Sequence, residues 1–257
     1  MQLKAIVIMK HPRFFTRFYY DSTTNIMGEN LYERFELSKG IIVHKNLAEK
    51  LYSLVPVFEH FNYKLMLTDV FRPVEMQKYL YDNWESRTGK PPKSSLATMQ
   101  TAPHARGIAF DCKLTDSNEN PIPLPSSSIK FNSEQRDPDF EFSNTPEEQI
   151  KKRNRNLLRY MMLCAGISPI NKEWFHFQLP ESEKYEPITV EETKSATEYP
   201  FPSNEKFEYY DIFHEYQNDE YEGKTHFWVN NERYFEQFKK IGLEEFLLKL
   251  EKICHSS

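Results

Sequence analysis

The segment Thr145-Pro146-Glu147-Glu148 constrains this chain most, because it can hardly be anything but the start of a helix. Thr145 can accept a backbone hydrogen bond as N-cap, Pro146 suits the first helical position, and Glu148 stands where it completes a capping box. Behind it, Ile150, Leu157, Leu158, Met161 and Ala165 mark a buried stripe, residues 151–155 a solvated side, and Gly166 a C-terminal stop. The basic run KKRNR therefore belongs to a wet helix face rather than to a nucleic-acid patch. Short apolar runs supply the other elements. Residues 5–9 predict an N-terminal strand, and helical spacing over residues 44–61 predicts a helix divided at Pro56. Residues 63–70 suit a buried strand, and Met76, Tyr79, Leu80 and Trp84 continue as a helix after Pro73. Residues 85–102, with a Pro-Pro pair, predict a loop, and residues 107–113 a strand. Residues 114–141 form a long Pro-, Ser-, Asn- and Asp-rich connection of the kind that borders functional sites.

Beyond Leu179 the composition shifts toward Glu, Lys, Tyr and Phe, ending in a helical stretch over residues 232–253 broken at Gly242. This divides the chain into a main domain, residues 1–180, and a C-terminal extension, residues 181–257, whose aromatic content suits packing on or near that domain. A formal net charge of -5 gives no overall pull toward phosphate backbones or anionic lipid, so nucleic acid is not expected as a partner. No apolar run is long enough for a signal peptide or a membrane span, and the three unpaired-looking cysteines, Cys112, Cys164 and Cys254, suit a reducing compartment. A cytoplasmic location without membrane association is the resulting expectation.

Two elements carry chemistry: Pro103-His104-Ala105-Arg106-Gly107-Ile108-Ala109-Phe110-Asp111, and Glu173-Trp174-Phe175-His176. A catalytic zinc needs about three imidazole or carboxylate ligands and one open position, a set that His104, Asp111 and His176 could supply. Glu173, three residues before His176, could serve as a proton acceptor. Taken singly, each residue has an ordinary explanation: His104 in a loop, Asp111 at a strand end, Glu173 in solvent, His176 as a satisfied core histidine. Spacing alone leaves both readings open.

The chain resembles the vancomycin-resistance-type D-alanyl-D-alanine dipeptidases. HARGIAFD is similar to their His-x-x-Gly-x-Ala-x-Asp element and EWFH to their Glu-Trp-Trp-His element, while Asp69-Val70-Phe71-Arg72-Pro73 resembles their Asp-x-Tyr-Arg-Pro element. Asn25-Ile26-Met27-Gly28 with Tyr32, and residues 154–166, extend the similarity over about residues 18–177. The resemblance implies an α+β fold, a small antiparallel sheet flanked by helices and related to the signalling domain of hedgehog proteins. It implies one Zn²⁺ per chain on His104, Asp111 and His176, Glu173 as the acid-base group, and Arg72 as the stabiliser of a developing oxyanion. A small peptide such as D-Ala-D-Ala is the implied substrate. Three departures bear on that substrate. Ala102 replaces a serine, Phe175 replaces a tryptophan, and Lys130 stands where the family has an acidic anchor for the substrate ammonium, a role that Glu134, Asp137 or Asp139 would have to fill. Two other functions follow from these features: a D,D-carboxypeptidase acting on peptidoglycan stem peptides, and a zinc-binding interaction domain without catalysis.

Overall fold

The computed structural model describes residues 5–92, 96–98, 100–125, 144–170, 173–212 and 232–255. In chain order the strands are β1 (Ile6–Met9), β2 (Phe14–Thr16), β3 (Ile41–His44), β4 (Lys64–Asp69), β5 (Ala109–Thr115), β6 (Ser168–Ile170), β7 (Glu173–Gln178), β8 (Thr197–Tyr199), β9 (Glu208–Tyr210) and β10 (Lys240–Gly242). The helices are α1 (Leu31–Arg34), α2 (Lys45–Ser53), α3 (Val55–His60), α4 (Val74–Thr88), α5 (Pro146–Cys164), α6 (Val190–Thr193), α7 (Glu232–Glu236) and α8 (Leu243–His255). The fold is α+β, as the resemblance implies. Its main sheet has the order β2-β4-β5-β7-β6. All pairs in it are antiparallel except the edge pair β2–β4, which is parallel. A second sheet, β3-β1-β8, and a two-stranded ribbon, β10-β9, complete the strands.

Local signals set most boundaries. Pro56 lies in the first turn of α3, so the expected division of residues 44–61 becomes two consecutive helices. Thr145 accepts from the Glu148 amide at 3.4 Å and starts α5 where the sequence placed it, and Gly166 follows the helix with φ 74°. Two expectations about α5 need correction. Ile150, assigned to its buried stripe, is 38% exposed. Asn154 and Arg155, assigned to its wet side, are buried. The reason is that α5 packs against β6, β7, β9 and α8, and Asn154 donates to Pro123 O at 2.8 Å, so its second half is largely enclosed while its first turn stays exposed. The loop expected from residue 85 also begins later, since α4 continues to Thr88 and ends at Gly89 with φ 69°.

The segment after residue 180 is bonded closely to the rest. Ile188 donates its amide to Ala105 O at 2.8 Å and accepts from Val74 N at 2.9 Å. β8 pairs in parallel with β1, and Tyr52 donates its hydroxyl to Tyr199 O at 2.7 Å. Further on, Tyr209 stacks on Phe246 with ring centroids 4.2 Å apart and donates its hydroxyl to Ser53 O at 2.6 Å. Among the described residues no helix is long and apolar enough to cross a membrane. The three cysteines are free thiols, with Cys112 and Cys164 buried.

His44 closes β3 and caps α2: its Nδ1 accepts from the Asn46 amide at 3.1 Å while the ring meets Tyr185 edge-on. Burial, opposed weakly by Glu49, pushes its pKa down from 6.5 to about 4. The cap therefore works in the neutral form. The unfolded chain takes up a proton below about pH 6.5 that the folded chain refuses until about pH 4, so this contribution to stability is full above 6.5 and is lost as pH falls toward 4. Asparagine also caps well but does not titrate. The urea midpoint of His44→Asn is expected to fall less than that of the native chain between pH 6.5 and 4; parallel falls would remove His44 as a cause.

Candidate metal centre

The site is built on the three middle strands of the main sheet. In the β4–β5 ladder Asp69 lies opposite Asp111, and in the β5–β7 ladder Asp111 lies opposite His176. Directly opposed residues point to one face of a sheet, so Asp69, Asp111 and His176 form a single row. His104 comes from outside the sheet, on a one-turn 3-10 helix (His104–Arg106) that ends at Gly107 with φ 66°. That turn is tied down from several sides. His104 Nδ1 donates to Val70 O at 2.8 Å, His104 O accepts from Arg72 N at 3.2 Å, and Gly107 O accepts from His44 N at 2.7 Å. The Arg106 guanidinium, itself buried, donates to the carbonyls of Gln100, Ala102 and Tyr185.

These supports bring His104, Asp111 and His176 together, all three buried, with one ligand atom from each within 4.8 Å of the others. His104 Nε2 is 3.3 Å from His176 Nδ1 and 3.6 Å from Asp111 Oδ1, and His176 Nδ1 is 2.9 Å from the same Oδ1. A tetrahedral centre with bonds of about 2.0–2.2 Å to nitrogen and oxygen spaces its ligand atoms at roughly 3.4 Å, and the three separations bracket that. The outer ring atoms agree. With Nδ1–H of His104 donated to Val70 O, and Nε2–H of His176 donated to Gln178 Oε1 at 3.2 Å, two imidazole lone pairs and a carboxylate face one another. A cation reconciles three such donors, and these residues could hold a metal ion. A shared proton is the other solution. Burial opposes charge on Asp111, but hydrogen bonds from His104 and His176 outweigh it and hold the carboxyl well below the usual range. Burial likewise lowers His176, and its bond to Asp111 more than reverses that.

Glu173 and Arg72 border this set. Strict alternation along β7 would send Glu173 and His176 to opposite faces. A register irregularity in the β6–β7 ladder, between Pro169 and Ile170, breaks that rule, and Glu173 Oε2 comes to 3.7 Å from His176 Nδ1. The Glu173 side chain remains 16% exposed, so it faces both the cluster and solvent. Arg72 is buried at the end of β4, its Nε 3.1 Å from Asp69 Oδ2. Burial would lower its pKa, but Asp69, Tyr20, Asp111 and Glu173 together raise it, so the guanidinium stays charged.

All five residues singled out from the sequence therefore meet in one place. Ala102 and Phe175 are both buried nearby in the chain, whereas Lys130, Glu134, Asp137 and Asp139 lie outside the described residues. Three neighbours had no such sequence signal. Tyr20 is buried in electrostatic reach of Arg72, Asp69 and Asp111, Gln77 bonds Arg72, and Gln178 bonds His176. A glutamine two residues beyond His176 on the same strand face was the nearest thing to a cue.

A sheet-borne carboxylate and two imidazoles could hold a metal ion, with a carboxylate and a fixed positive charge at their margin. The chain belongs to the peptidase M15 family, whose sequence model, described as D-ala-D-ala dipeptidase, matches residues 11–195. Among curated proteins it is similar to the D-alanyl-D-alanine dipeptidase of Escherichia coli (strain K12), at 26% identity over 166 residues, 65% of this chain and 79% of that one. Among solved structures it is similar to the LdcB LD-carboxypeptidase, studied for its peptidoglycan recognition, with TM-score 0.34 and 15% identity over 62% of this chain and 71% of that one.

Gly107 can be tested directly. A Cβ there would lie 3.0 Å from His44 N, on a backbone at φ 66° that side chains rarely adopt. Gly107→Ala is expected to cost roughly 1–3 kcal/mol in denaturant unfolding; an unchanged midpoint would show that the turn holding His104 is looser than drawn.

Proposed function

We propose that the chain is a zinc-dependent dipeptidase that hydrolyses D-Ala-D-Ala or a closely related short peptide containing D-amino acids. The observation that carries this reading is the convergence of His104 Nε2, Asp111 Oδ1 and His176 Nδ1, with the Glu173 carboxylate 3.7 Å from that last nitrogen. Family membership and the similarity to a D-alanyl-D-alanine dipeptidase support the substrate class.

His104, Asp111 and His176 would hold the zinc, which when bound brings the pKa of its water to roughly 7 and polarises a carbonyl. Glu173 supplies the proton acceptor. Its place between the ligands and solvent lets one carboxylate take the proton from the attacking water and return it to the departing amine. Arg72 contributes a fixed positive charge. Held by Asp69 and within electrostatic reach of Asp111 and Glu173, it could stabilise the negative charge that builds on the scissile carbonyl oxygen.

Free D-alanine released from D-Ala-D-Ala should be measured for zinc-loaded and chelator-treated protein in parallel. Release that depends on metal is expected. Glu173→Ala should keep its zinc and lose about two to four orders of magnitude in rate, whereas His176→Ala should lose the zinc itself. No release from a folded, zinc-loaded chain would overturn the dipeptidase reading, and release from N-acylated peptides alone would move it to a carboxypeptidase. A Glu173→Ala rate equal to the native one would remove Glu173 from the chemistry.

A further inference from the structure

Arg72 has two anchors, and they differ in kind. Its Nε faces the Asp69 carboxylate at 3.1 Å, and its Nη1 donates to Gln77 Oε1 at 3.1 Å. Gln77 is 1% exposed and sits in the first turns of α4, where its own amide donates to Pro73 O at 2.9 Å. Its side-chain Nε2 in turn donates to Ala97 O at 2.9 Å. These partners settle which way the amide points. A guanidinium can only donate and a carbonyl can only accept, so the oxygen must face Arg72 and the nitrogen Ala97. A single anchor leaves a guanidinium free to rock about it. A second contact to Nη1, on another edge, fixes its plane. The second acceptor is also neutral, so it restrains the group without adding another carboxylate to cancel its charge.

We propose that Gln77 is a positioning residue for Arg72, holding the guanidinium plane so that its charge is presented to the reacting carbonyl in one orientation. The proposal rests on the oxyanion role given to Arg72 above. It makes Gln77 a part of the site that touches no substrate. It also links Arg72, through Ala97, to the segment that leads into Ala102 and His104.

The test combines kinetics with a measurement that needs no turnover. Gln77→Leu keeps the volume and removes both hydrogen bonds. With D-Ala-D-Ala it is expected to lower kcat by roughly 10- to 100-fold, with KM changed by less than about 3-fold. In an Arg72→Ala background the same change should alter kcat by less than about 2-fold, because the group it positions is gone. Equal slowing in both backgrounds would overturn the proposal. The second measurement is the ¹⁵N side-chain spectrum of Arg72, assigned by its loss in Arg72→Lys. Resolved Nη signals in the native zinc-loaded chain should coalesce in Gln77→Leu as the guanidinium begins to rotate, and an unchanged pattern would overturn the proposal as well. The two readings fail separately. Native protein that cleaves no peptide, with Nη signals that coalesce only in Gln77→Leu, would refute the dipeptidase reading and keep Gln77 as the anchor; active protein with additive kinetics would do the reverse.

Discussion

The register of β4, β5 and β7 is the constraint on which the rest of the structure depends. It places Asp69, Asp111 and His176 in one row across three strands. Side chains alternate along a strand, so a slip of one residue in either ladder would send one member of the row to the opposite face. The register is protected by the residues between them. Leu65, Leu67, Phe110, Cys112, Leu114 and Phe177 are fully buried, and each would be expelled by the same slip. The core thus specifies the site: apolar packing that has no part in chemistry fixes which polar groups face one another.

Burying so many charges in one place is costly unless they balance. Asp69 and Arg72 form one pair, and Asp111 is set against two imidazoles. Tyr20, beside them, adds no charge of its own, because burial above all pushes its phenol far up its range. Desolvation also raises the Asp69 carboxyl, though Arg72 works against it, and one Asp69 oxygen, Oδ1, has no hydrogen-bond partner among the described residues. Arg72 is the foremost of the positive neighbours that work against that desolvation, ahead of His104 and His176. The margin of the cluster is Glu173, the member with the most exposed side chain.

Much of this was legible from the chain alone. The residues of the cluster, the Thr145 cap, the break at Pro56 and the strand that ends at Asp69 are local facts, written in residues close together in sequence. What escaped was tertiary. Arg155 looks like a solvent-facing arginine until the elements packed around α5 enclose it. Ile150 fits a helical stripe, and only the limited reach of the packing partners leaves it in water. Glu173 is legible as a residue but not as a position, since its approach to His176 depends on a ladder irregularity that no local pattern announces. Gln77 and Gln178 were invisible for a related reason: a glutamine's hydrogen bonds are chosen by whatever the fold brings beside it.

One feature of the connectivity bears on how the protein is made. His176 is made before Tyr185 and Ile188, yet the turn that carries His104 donates a hydrogen bond to Tyr185 O, through Arg106, and accepts one from the Ile188 amide, through Ala105 O. A nascent chain halted just past His176 would hold His104, Asp111 and His176 but only part of the frame that fixes the first. That frame is completed only with the next dozen residues, so the cluster is fully braced after the arrival of its third side chain and not upon it.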